Sequence, residues 1–359
     1  MAAVLRVLAV NPGGMTTKIA VYENETRVFD ASIEHERGDL AGFESIPDQL
    51  DMRKSAIVAA LEGGGQLGRT YDAVVGRGGL LRSIPSGTYA VNDPMKEDCR
   101  IGYAGQHASN LGALLADALG RDLGGRAFVV DPVSVDEFEP LARYSGHAEI
   151  ERVSLLHALN IKATAKKAAK MIGKPLDAMN LIVAHLGSGT SVAPLRRGRM
   201  VDVNNALSGG PFTPERTGAL PLIQLFDFMI EKEKSPRDMK RLVAKEGGLL
   251  SYLGSNNFKE ICARVEGGDE KAREVVSAMA YQIAKEIGAM AAVLSGDVER
   301  IVLTGALAHS ELLVGLVRPM VAFIADLMVL PGENELVSLA LGALEVLRGE
   351  SEARVYPTG

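Results

Sequence analysis

The sequence predicts a mixed α/β protein built from two domains that repeat one design. First, a chain of 359 residues is longer than the size at which one hydrophobic core usually stops growing. Second, residues 4–23 and 181–202 share one pattern, in which a glycine-rich turn joins two β-branched runs. Third, strand-like and helical runs follow both segments, which indicates a coarse internal repeat.

The first half opens with the hairpin at residues 4–23, whose turn lies at Pro12, Gly13 and Gly14. No Pro- or Ser-rich linker marks the end of this half. We place the boundary near residue 150, so that residues 1–150 form an N-terminal domain. The later elements of this half are strands at 71–75 and 127–131 and a helix at 110–119.

The second half, residues 151–333, forms the C-terminal domain, and its hairpin turns at Gly187, Ser188 and Gly189. A final helix at 334–347, within residues 334–359, is placed so that it can pack back on the first domain. The other predicted elements are a connecting helix at 157–171, a helical insertion at about 221–280, a helix at 274–294 that Ser295-Gly296-Asp297 ends, and a strand at 300–304.

Composition excludes several classes of protein. The chain is 47% hydrophobic and 23% charged with a net charge of −6, and its longest basic run is the short RRGR at 196–199, so nucleic acid is not an expected partner. Charged residues interrupt the apolar stretches before they reach membrane-spanning length. Cys99 and Cys262 fit no metal or redox spacing, so we interpret them as packing residues of a cytoplasmic protein.

Three glycine-containing segments, 11–18, 185–191 and 303–308, have the composition of phosphate-binding turns. Such a turn needs converging N–H donors without an obstructing side chain, and Ser and Thr add hydroxyl donors. Each segment alone is equally consistent with an ordinary glycine-rich turn, whereas three together favour a binding site for a nucleoside triphosphate. The last segment joins a strand to a predicted helix N-terminus, which can receive an anion. The expected nucleotide-binding residues are Gly13, Gly14, Thr16, Thr17, Lys18, His185, Gly187, Ser188, Gly189, Thr190, Gly305 and Ala306.

The usual signatures of other nucleotide-binding folds are missing from the sequence. It contains neither the P-loop pattern G-x-x-x-x-G-K-[ST] nor a G-x-G-x-x-G that follows a strand. The H-R-D and D-F-G signatures of protein kinases are also absent. P-loop and Rossmann enzymes are therefore excluded as far as motifs can exclude them.

Two arginines and two histidines stand out among the charged residues. Arg77 in VVGRGGLL and Arg216 in GGPFTPERTGALP are framed by glycine, and a guanidinium can grip carboxylate or phosphate through two hydrogen bonds. His185 ends a strand before the second glycine turn, and His157 opens a helix. The other histidines are interpreted as surface or packing residues.

Carboxylates near predicted strand ends are candidate ligands for the Mg²⁺ that ATP brings to a site. Asp131 follows the strand-like AFVV, and Glu333 and Glu335 lie in PGENEL. Read alone, an Asp-Pro pair after a strand more often forms a turn. The choice between Glu333 and Glu335 stays open.

Eight motifs follow one another along nearly the whole chain: NPGGMTTKIAVYE, VGRGG, FVVDP, LLHALN, HLGSGTS, GGPFTPERTGALP, VLTGAL and PGENE. In this order they resemble the acetate kinase family, within the superfamily that joins acetate and sugar kinases, heat-shock ATPases and actin. FTPERTG is the most specific of these motifs. The resemblance implies two duplicated ribonuclease-H-like domains of the actin-like ATPase type, with the active site in the cleft between them.

The resemblance also implies roles for individual residues. Asn11 would lie near the transferred phosphoryl group and the metal, Arg77 and Arg216 would bind the acid's carboxylate and the phosphoryl group, and His157 would contact phosphoryl oxygens. Asp131 would assist Mg²⁺ coordination.

The resemblance implies roles for two more residues, and the chain departs from the family's usual pattern in two segments. His185 would lie behind the second phosphate turn, and the family's acidic residue near the C-terminus falls at Glu335. The first turn has Gly14 and Met15 where hydroxyl residues are usual. Thr304 and Ala306 stand where related kinases often carry glycine.

The implied reaction is reversible transfer of the γ-phosphoryl group of ATP to a short fatty acid such as butyrate, with ATP/ADP and Mg²⁺. A carboxylate is already a nucleophile and needs no general base, which explains a site rich in Arg, Asn and His. Isobutyrate, valerate and propionate stay open, whereas acetate is disfavoured because ERVSLLHALN replaces RYGFHGTSH. The alternative is an ATP-binding regulator or chaperone-like ATPase of the same fold. The family also implies a homo-oligomer, at least a dimer.

Overall fold

The computed structural model describes residues 4–207, 209–333 and 335–358. The strands are β1 Arg6–Pro12, β2 Thr16–Glu23, β3 Thr26–Glu34, β4 Ala73–Arg77, β5 Thr88–Ala90, β6 Arg126–Val130, β7 Asn180–Leu186, β8 Thr190–Arg196, β9 Arg199–Met200, β10 Arg300–Thr304, β11 Leu327–Val329 and β12 Arg354–Val355. The helices are α1 Arg37–Ala41, α2 Leu50–Gly63, α3 Asp93–Ile101, α4 Leu111–Leu123, α5 Ala158–Ile172, α6 Leu222–Glu231, α7 Pro236–Lys245, α8 Gly248–Leu253, α9 Phe258–Glu266, α10 Glu270–Val293, α11 Glu311–Val321 and α12 Glu335–Leu347.

The chain divides into two compact units. Unit 1 comprises residues 1–136 and 334–359, and unit 2 comprises residues 137–333. The division therefore falls at residue 136, some way before the position near 150 placed from sequence. The C-terminal helix α12 belongs to unit 1.

In unit 1 the strands form a seven-stranded sheet in the order β12-β5-β6-β4-β1-β2-β3. β1 pairs antiparallel with β2, and it pairs parallel with β4, which in turn pairs parallel with β6. Helices α4 and α12 both pack on these strands. A Cβ at Gly76 of β4 would meet α4. The next residue of β4, Arg77, pairs with Val130, which packs against Gly342 of α12. Because successive side chains of a strand point to opposite faces, α4 and α12 cover opposite faces of the sheet.

In unit 2 the sheet has five strands in the order β11-β10-β7-β8-β9. α5 packs on β7 and β10, and α10 packs on β7 and β8. The face toward α10 is apolar and fully buried, with Ile182, Leu186 and Leu303 in the core. His185 and Thr304 lie on the other face, where they contact residues of α5.

The two units repeat one topology. In each, the first strand of a hairpin also pairs with a parallel strand, and a second parallel strand lies beyond that one. The order is β2-β1-β4-β6 in unit 1 and β8-β7-β10-β11 in unit 2. In each, helices cover the sheet. The internal repeat expected from the two glycine-turn hairpins is therefore present in the structure.

Local chemistry explains why the elements begin and end where they do. Asp269 caps the N-terminus of α10 by accepting a hydrogen bond from the Ala272 amide. After α10 the chain turns at Ser295 and Gly296, which both have positive φ angles, so the expected break before β10 is confirmed.

In the described ranges, no helix combines the length and the apolar character needed to cross a membrane.

Candidate active site

Asn11, Arg77 and Glu335 meet at one edge of the sheet of unit 1. Val10 of β1 lies beside Gly76 of β4 in parallel register, so the next residues, Asn11 and Arg77, share a face. Nη1 of Arg77 lies 2.9 Å from Oε1 of Glu335 and donates to Oδ1 of Asn11 at 3.4 Å. Nδ2 of Asn11 donates to Oε2 of Glu335. The structure thus brings together three residues that the sequence analysis singled out separately.

The β-hairpin that follows Asn11 separates the predicted phosphate ligands onto two faces. Lys18 lies opposite Asn11 in the antiparallel register and is exposed, and Thr16 shares its face because side chains alternate along a strand. Thr17 points to the other face and is fully buried, with its hydroxyl 2.9 Å from Nη1 of Arg53 and 2.8 Å from Nε2 of His35. The structure therefore corrects the expected phosphate contact of Thr17, whose side chain faces the interior.

Asp131 follows β6 at the same sheet edge, since Arg77 lies opposite Val130. Its φ angle is +39°, and Oδ1 accepts hydrogen bonds of 2.7 Å from the Ser86 hydroxyl and the Gly87 amide. The carboxylate thus organises a turn, which is the ordinary use of Asp-Pro after a strand. Its role as a magnesium ligand stays a prediction.

In unit 2 two histidine rings stack beneath the second glycine turn. The centroids of His157 and His185 are 4.0 Å apart at an interplanar angle of 12°. Nδ1 of His157 lies 2.9 Å from the Ser191 hydroxyl, and Nδ1 of His185 lies 3.0 Å from Oδ1 of Asn160. On its other side, Nε2 of His185 is 3.4 Å from Oε1 of Glu333. Both rings therefore have fixed orientations.

The second turn needs its glycines because other groups approach the backbone closely. The Gly187 amide donates to the Gly189 carbonyl at 3.2 Å, and a Cβ on Gly187 would lie 3.2 Å from Nε2 of His185. His185 thus lies directly behind the turn. Ser188 at its tip is exposed, and Thr190 is buried at the start of β8.

The guanidinium of Arg216 packs on Gly189. A Cβ on Gly189 would lie only 2.8 Å from Cζ of Arg216 and 3.2 Å from Cε1 of His157. Nη1 of Arg216 donates to the Ala206 carbonyl at 2.6 Å. Nε of Arg216 is buried, and it has no hydrogen-bond partner among the residues that the structure describes. Burial lowers the pKa of Arg216, with the neighbouring Glu215 opposing the shift.

Thr213 ties the FTPERTG segment to the second turn. Its hydroxyl donates to the Ser188 carbonyl at 2.7 Å and accepts from the Arg216 amide at 3.0 Å. The side chain is almost fully buried. This residue holds Arg216 in register with the turn, and the sequence analysis did not single it out.

The third expected nucleotide segment, residues 303–308, connects β10 to the helical elements that follow it. Gly305, at φ +87°, exchanges backbone hydrogen bonds with Gly332 at 3.3 and 3.0 Å. Ala306 begins a 3₁₀ turn that spans Ala306–His309, and α11 starts only after Ser310, whose hydroxyl caps it. Residues 303–308 therefore lie between a strand and a helix N-terminus, as expected, and the serine that caps α11 lies five residues beyond Gly305.

Comparison with known proteins places these features in a family. A sequence model described as the acetokinase family matches residues 147–320. A relative named probable butyrate kinase 2, from Caldanaerobacter subterraneus subsp. tengcongensis, is 46% identical over 351 residues, which cover 98% of this chain and 99% of the relative. The chain belongs to the acetokinase family. The resemblance predicted from sequence motifs is confirmed, as is the prediction of an ATP-dependent carboxylate kinase.

Solved structures confirm the acetokinase fold. The acetate kinase of Porphyromonas gingivalis aligns with a TM-score of 0.80 at 18% identity, covering 96% of this chain and all of that one. A propionate kinase from Francisella tularensis subsp. tularensis SCHU S4 aligns with a TM-score of 0.76 at 17% identity, covering 93% of this chain and 98% of that one. The predicted duplicated, actin-like α/β architecture is thus confirmed.

In this member of the acetokinase family, sequence reasoning missed the residues that support the site from behind. Arg53 bonds the first turn, and Thr213 bonds the second. Asn204 accepts from the Val192 amide and donates to the Thr190 carbonyl at 2.9 Å, which fixes the start of β8. Thr213 lies within the FTPERTG motif, whose arginine drew the attention, whereas Arg53 and Asn204 lie outside every motif named above, and their only sequence signal is a polar residue at a position that the fold buries.

Proposed function

We propose that this chain is a butyrate kinase, which reversibly transfers the γ-phosphoryl group of ATP to butyrate or a similar short-chain or branched-chain acid. The products are butanoyl phosphate and ADP. The name of the 46% identical relative supports butyrate as the acid. The observation that supports the proposal most directly concerns Arg216. Its buried Nε lacks a hydrogen-bond partner among the described residues, and its guanidinium packs against the turn at Gly189. A buried cation of this kind is suited to an anionic ligand.

In unit 2, Arg216 and His157 are proposed to bind the phosphoryl group. His157 and Arg216 both pack against Gly189, within reach of one turn. His185 supports the turn from behind, while Ser188 and the backbone of Gly187–Thr190 would contact the nucleotide phosphates. Gly305 and Ala306 are proposed to contact the nucleotide as well.

In unit 1, Arg77 is proposed to bind the carboxylate of the acid and the phosphoryl group. The described contacts of Arg77 with Glu335 and Asn11 all use Nη1, so Nε and Nη2 remain as a pair of donors. Lys18 and Thr16 share the face of Asn11 and would contact phosphate. The carboxylate of the acid is already a nucleophile. Its in-line attack on the γ-phosphoryl group therefore requires only that the two groups are positioned and that their negative charges are neutralised.

The residues of unit 1 fit a magnesium ion of the kind that accompanies ATP. Mg²⁺ is commonly held by one or two carboxylates together with substrate phosphates and water, and oxygen is its preferred ligand atom. Glu335 and Asn11 supply such oxygens side by side, and Asp131 follows β6, the strand that pairs with β4, at the same sheet edge. In the described ranges no group of three or more His, Cys, Asp or Glu forms a dedicated cage. The ion would offset negative charge on the phosphates.

The assay follows ADP formation and traps the acyl phosphate with hydroxylamine over a series of acids with two to five carbons. We expect ADP release that depends on the acid and the highest kcat/KM with butyrate or a close homologue. R216A is expected to lower kcat on the order of a thousandfold or more, as found for transition-state arginines. ADP release at the same rate without any acid would refute carboxylate phosphorylation, and near-normal turnover of folded R216A would refute the role of Arg216.

We also propose a cytoplasmic homo-oligomer, at least a dimer, that uses α6. No residue of this helix is buried, and Ile223 and Ile230 are 68% and 71% exposed. A ten-residue helix is marginal in water unless its apolar side chains pack against a partner. F226E is expected to yield monomers in light scattering, whereas F323E, a control at another exposed phenylalanine, leaves the assembly intact. An unchanged mass for F226E would contradict this interface.

A further inference from the structure

One buried arginine holds the first glycine turn from the inside. Arg53 of α2 is fully buried. Its Nη1 donates to the carbonyls of Gly13 at 2.9 Å and Thr16 at 3.2 Å, and its Nη2 donates to the carbonyl of Gly14 at 2.9 Å. A single guanidinium therefore fixes three of the four backbone carbonyls between Gly13 and Thr16.

The remaining carbonyl of the turn is also bonded inward. The His35 amide donates to the Met15 carbonyl at 2.8 Å. Among the described residues, the amide N–H groups of Gly14 and Met15 have no hydrogen-bond partner, and both residues are exposed. Because the acceptors face the interior and two consecutive donors do not, the turn can offer donors to an anion.

The charge of Arg53 is not neutralised by an acid. In the part of the chain that the structure describes, no carboxylate forms an ion pair with its guanidinium. The other contacts come from Oε1 of Gln49, at 3.0 Å to Nε and 2.9 Å to Nη2, and from the Thr17 hydroxyl, at 2.9 Å to Nη1. Burial lowers the pKa of Arg53. An isolated buried charge is costly, so this positive charge is balanced mainly by the carbonyl dipoles of the turn itself.

We propose that Arg53 is a positioning residue for the nucleotide phosphates. It keeps the carbonyls of the Gly13–Thr16 turn directed inward and places a positive charge behind the two outward amides. Gly14 and Met15 bring no side-chain donor of their own, so at these two positions the conformation that Arg53 imposes supplies the donors, which are backbone amides. The role of Arg53 rests on the proposed function in one respect, namely that the anion bound by the turn is a nucleotide phosphate.

The test compares R53M and R53K with R6K in the full-length protein. R53M removes both the charge and the hydrogen bonds, while R53K keeps the charge but cannot bridge the carbonyls. Arg6 is a matched control, because it is a buried arginine of the same unit at the opposite end of β1 from the turn. Melting temperature, Kd for Mg-ATP by calorimetry without acid, and kcat and KM for both substrates are measured for each variant.

R53M is expected to bind ATP at least about tenfold more weakly and to lose on the order of 100-fold in kcat, the cost of misplacing a reacting group by about 1 Å. R53K should retain most of the ATP affinity but share the loss in kcat, and neither variant should change KM for the acid. R6K should lower the melting temperature without these effects. R53M that resembles R6K in Kd and kcat would overturn the proposal.

Two further results keep the inference separate from folding and from the proposed function. If R53M does not fold, Q49L decides, because it loosens Arg53 without touching the turn. A loss in ATP affinity and kcat for Q49L supports the proposal, and wild-type values overturn it. If the wild-type protein shows no acid-dependent ADP release, the calorimetric comparison of ATP binding by R53M and R6K still decides the role of Arg53.

Discussion

Replacing Gly189 by alanine tests whether the second turn and Arg216 work as one unit. The added methyl would meet Nη1 of Arg216 most closely and would lie 2.8 Å from its Cζ, about 0.7 Å inside the roughly 3.5 Å at which carbon atoms make ordinary contact. Its distance of 3.2 Å from Cε1 of His157 limits movement on the other side. The guanidinium must therefore shift by at least about 0.7 Å, which we expect to lower kcat/KM between about 10- and 100-fold.

The same substitution should leave the fold almost unchanged. The obstructed group is the far end of a flexible side chain, and the displacement removes at most the hydrogen bond from Nη1 of Arg216 to the Ala206 carbonyl. We expect G189A to lower the free energy of unfolding by about 1 kcal/mol or less. Gly288 in α10 has no atom within 4 Å of an added Cβ, so G288A serves as the control, with normal activity and equal or higher stability.

The assay is the acid-dependent formation of ADP and acyl hydroxamate, with unfolding followed by urea titration. If G189A keeps kcat/KM within about threefold of the wild type, the guanidinium is not required where the structure places it. A large loss in the free energy of unfolding of G189A would also contradict the prediction, because it would show that the added methyl group cannot displace the Arg216 side chain.

Two other predictions follow from the same contacts. E335Q removes the charge that pairs with Arg77 and should weaken the apparent affinity for Mg²⁺ about 10- to 100-fold. E350Q, at an exposed position, is the control, and an unchanged Mg²⁺ dependence would refute the metal assignment. Burial, followed by the positive charge of Arg53, lowers the pKa of His35, while Glu34 and Asp39 oppose the shift. The unfolded chain then binds a proton more readily near pH 6.5, so stability falls as pH falls through this range, and H35Q should flatten that dependence in urea titrations between pH 5 and 8.

The sequence predicted those elements whose signals are local. Both glycine-turn hairpins, the strand Arg300–Thr304 and the break at Ser295 and Gly296 are found as expected, because turn residues and β-branched runs identify themselves within about ten positions. Strand β3, Thr26–Glu34, was missed. It is a half-exposed edge strand with alternating burial, and its charged residues resemble those of a loop.

The supporting residues of the site could not be predicted in the same way. Arg53 lies beside Lys54 in a helical segment, where two adjacent basic residues suggest a solvent-exposed surface. Its burial depends on the carbonyls of Gly13 and Gly14, about 40 positions away. Thr17 was misinterpreted for the matching reason, since only the strand register decides which of two neighbouring threonines faces outward.

The discontinuity of unit 1 has a consequence for the synthesis of the protein. Unit 1 closes only when its C-terminal segment arrives, since Thr88 donates to the Gly342 carbonyl at 3.0 Å and Tyr356 donates to Asp98 at 2.8 Å. Unit 2 is a continuous segment of residues 137–333, which a ribosome makes in roughly 10 to 40 s. The N-terminal segment must wait incomplete through that interval, and Glu335 joins Asn11 and Arg77 only after unit 2 has been made. The nascent chain therefore completes its second unit before its first, and Arg77 gains its carboxylate partner only after unit 2 has been made.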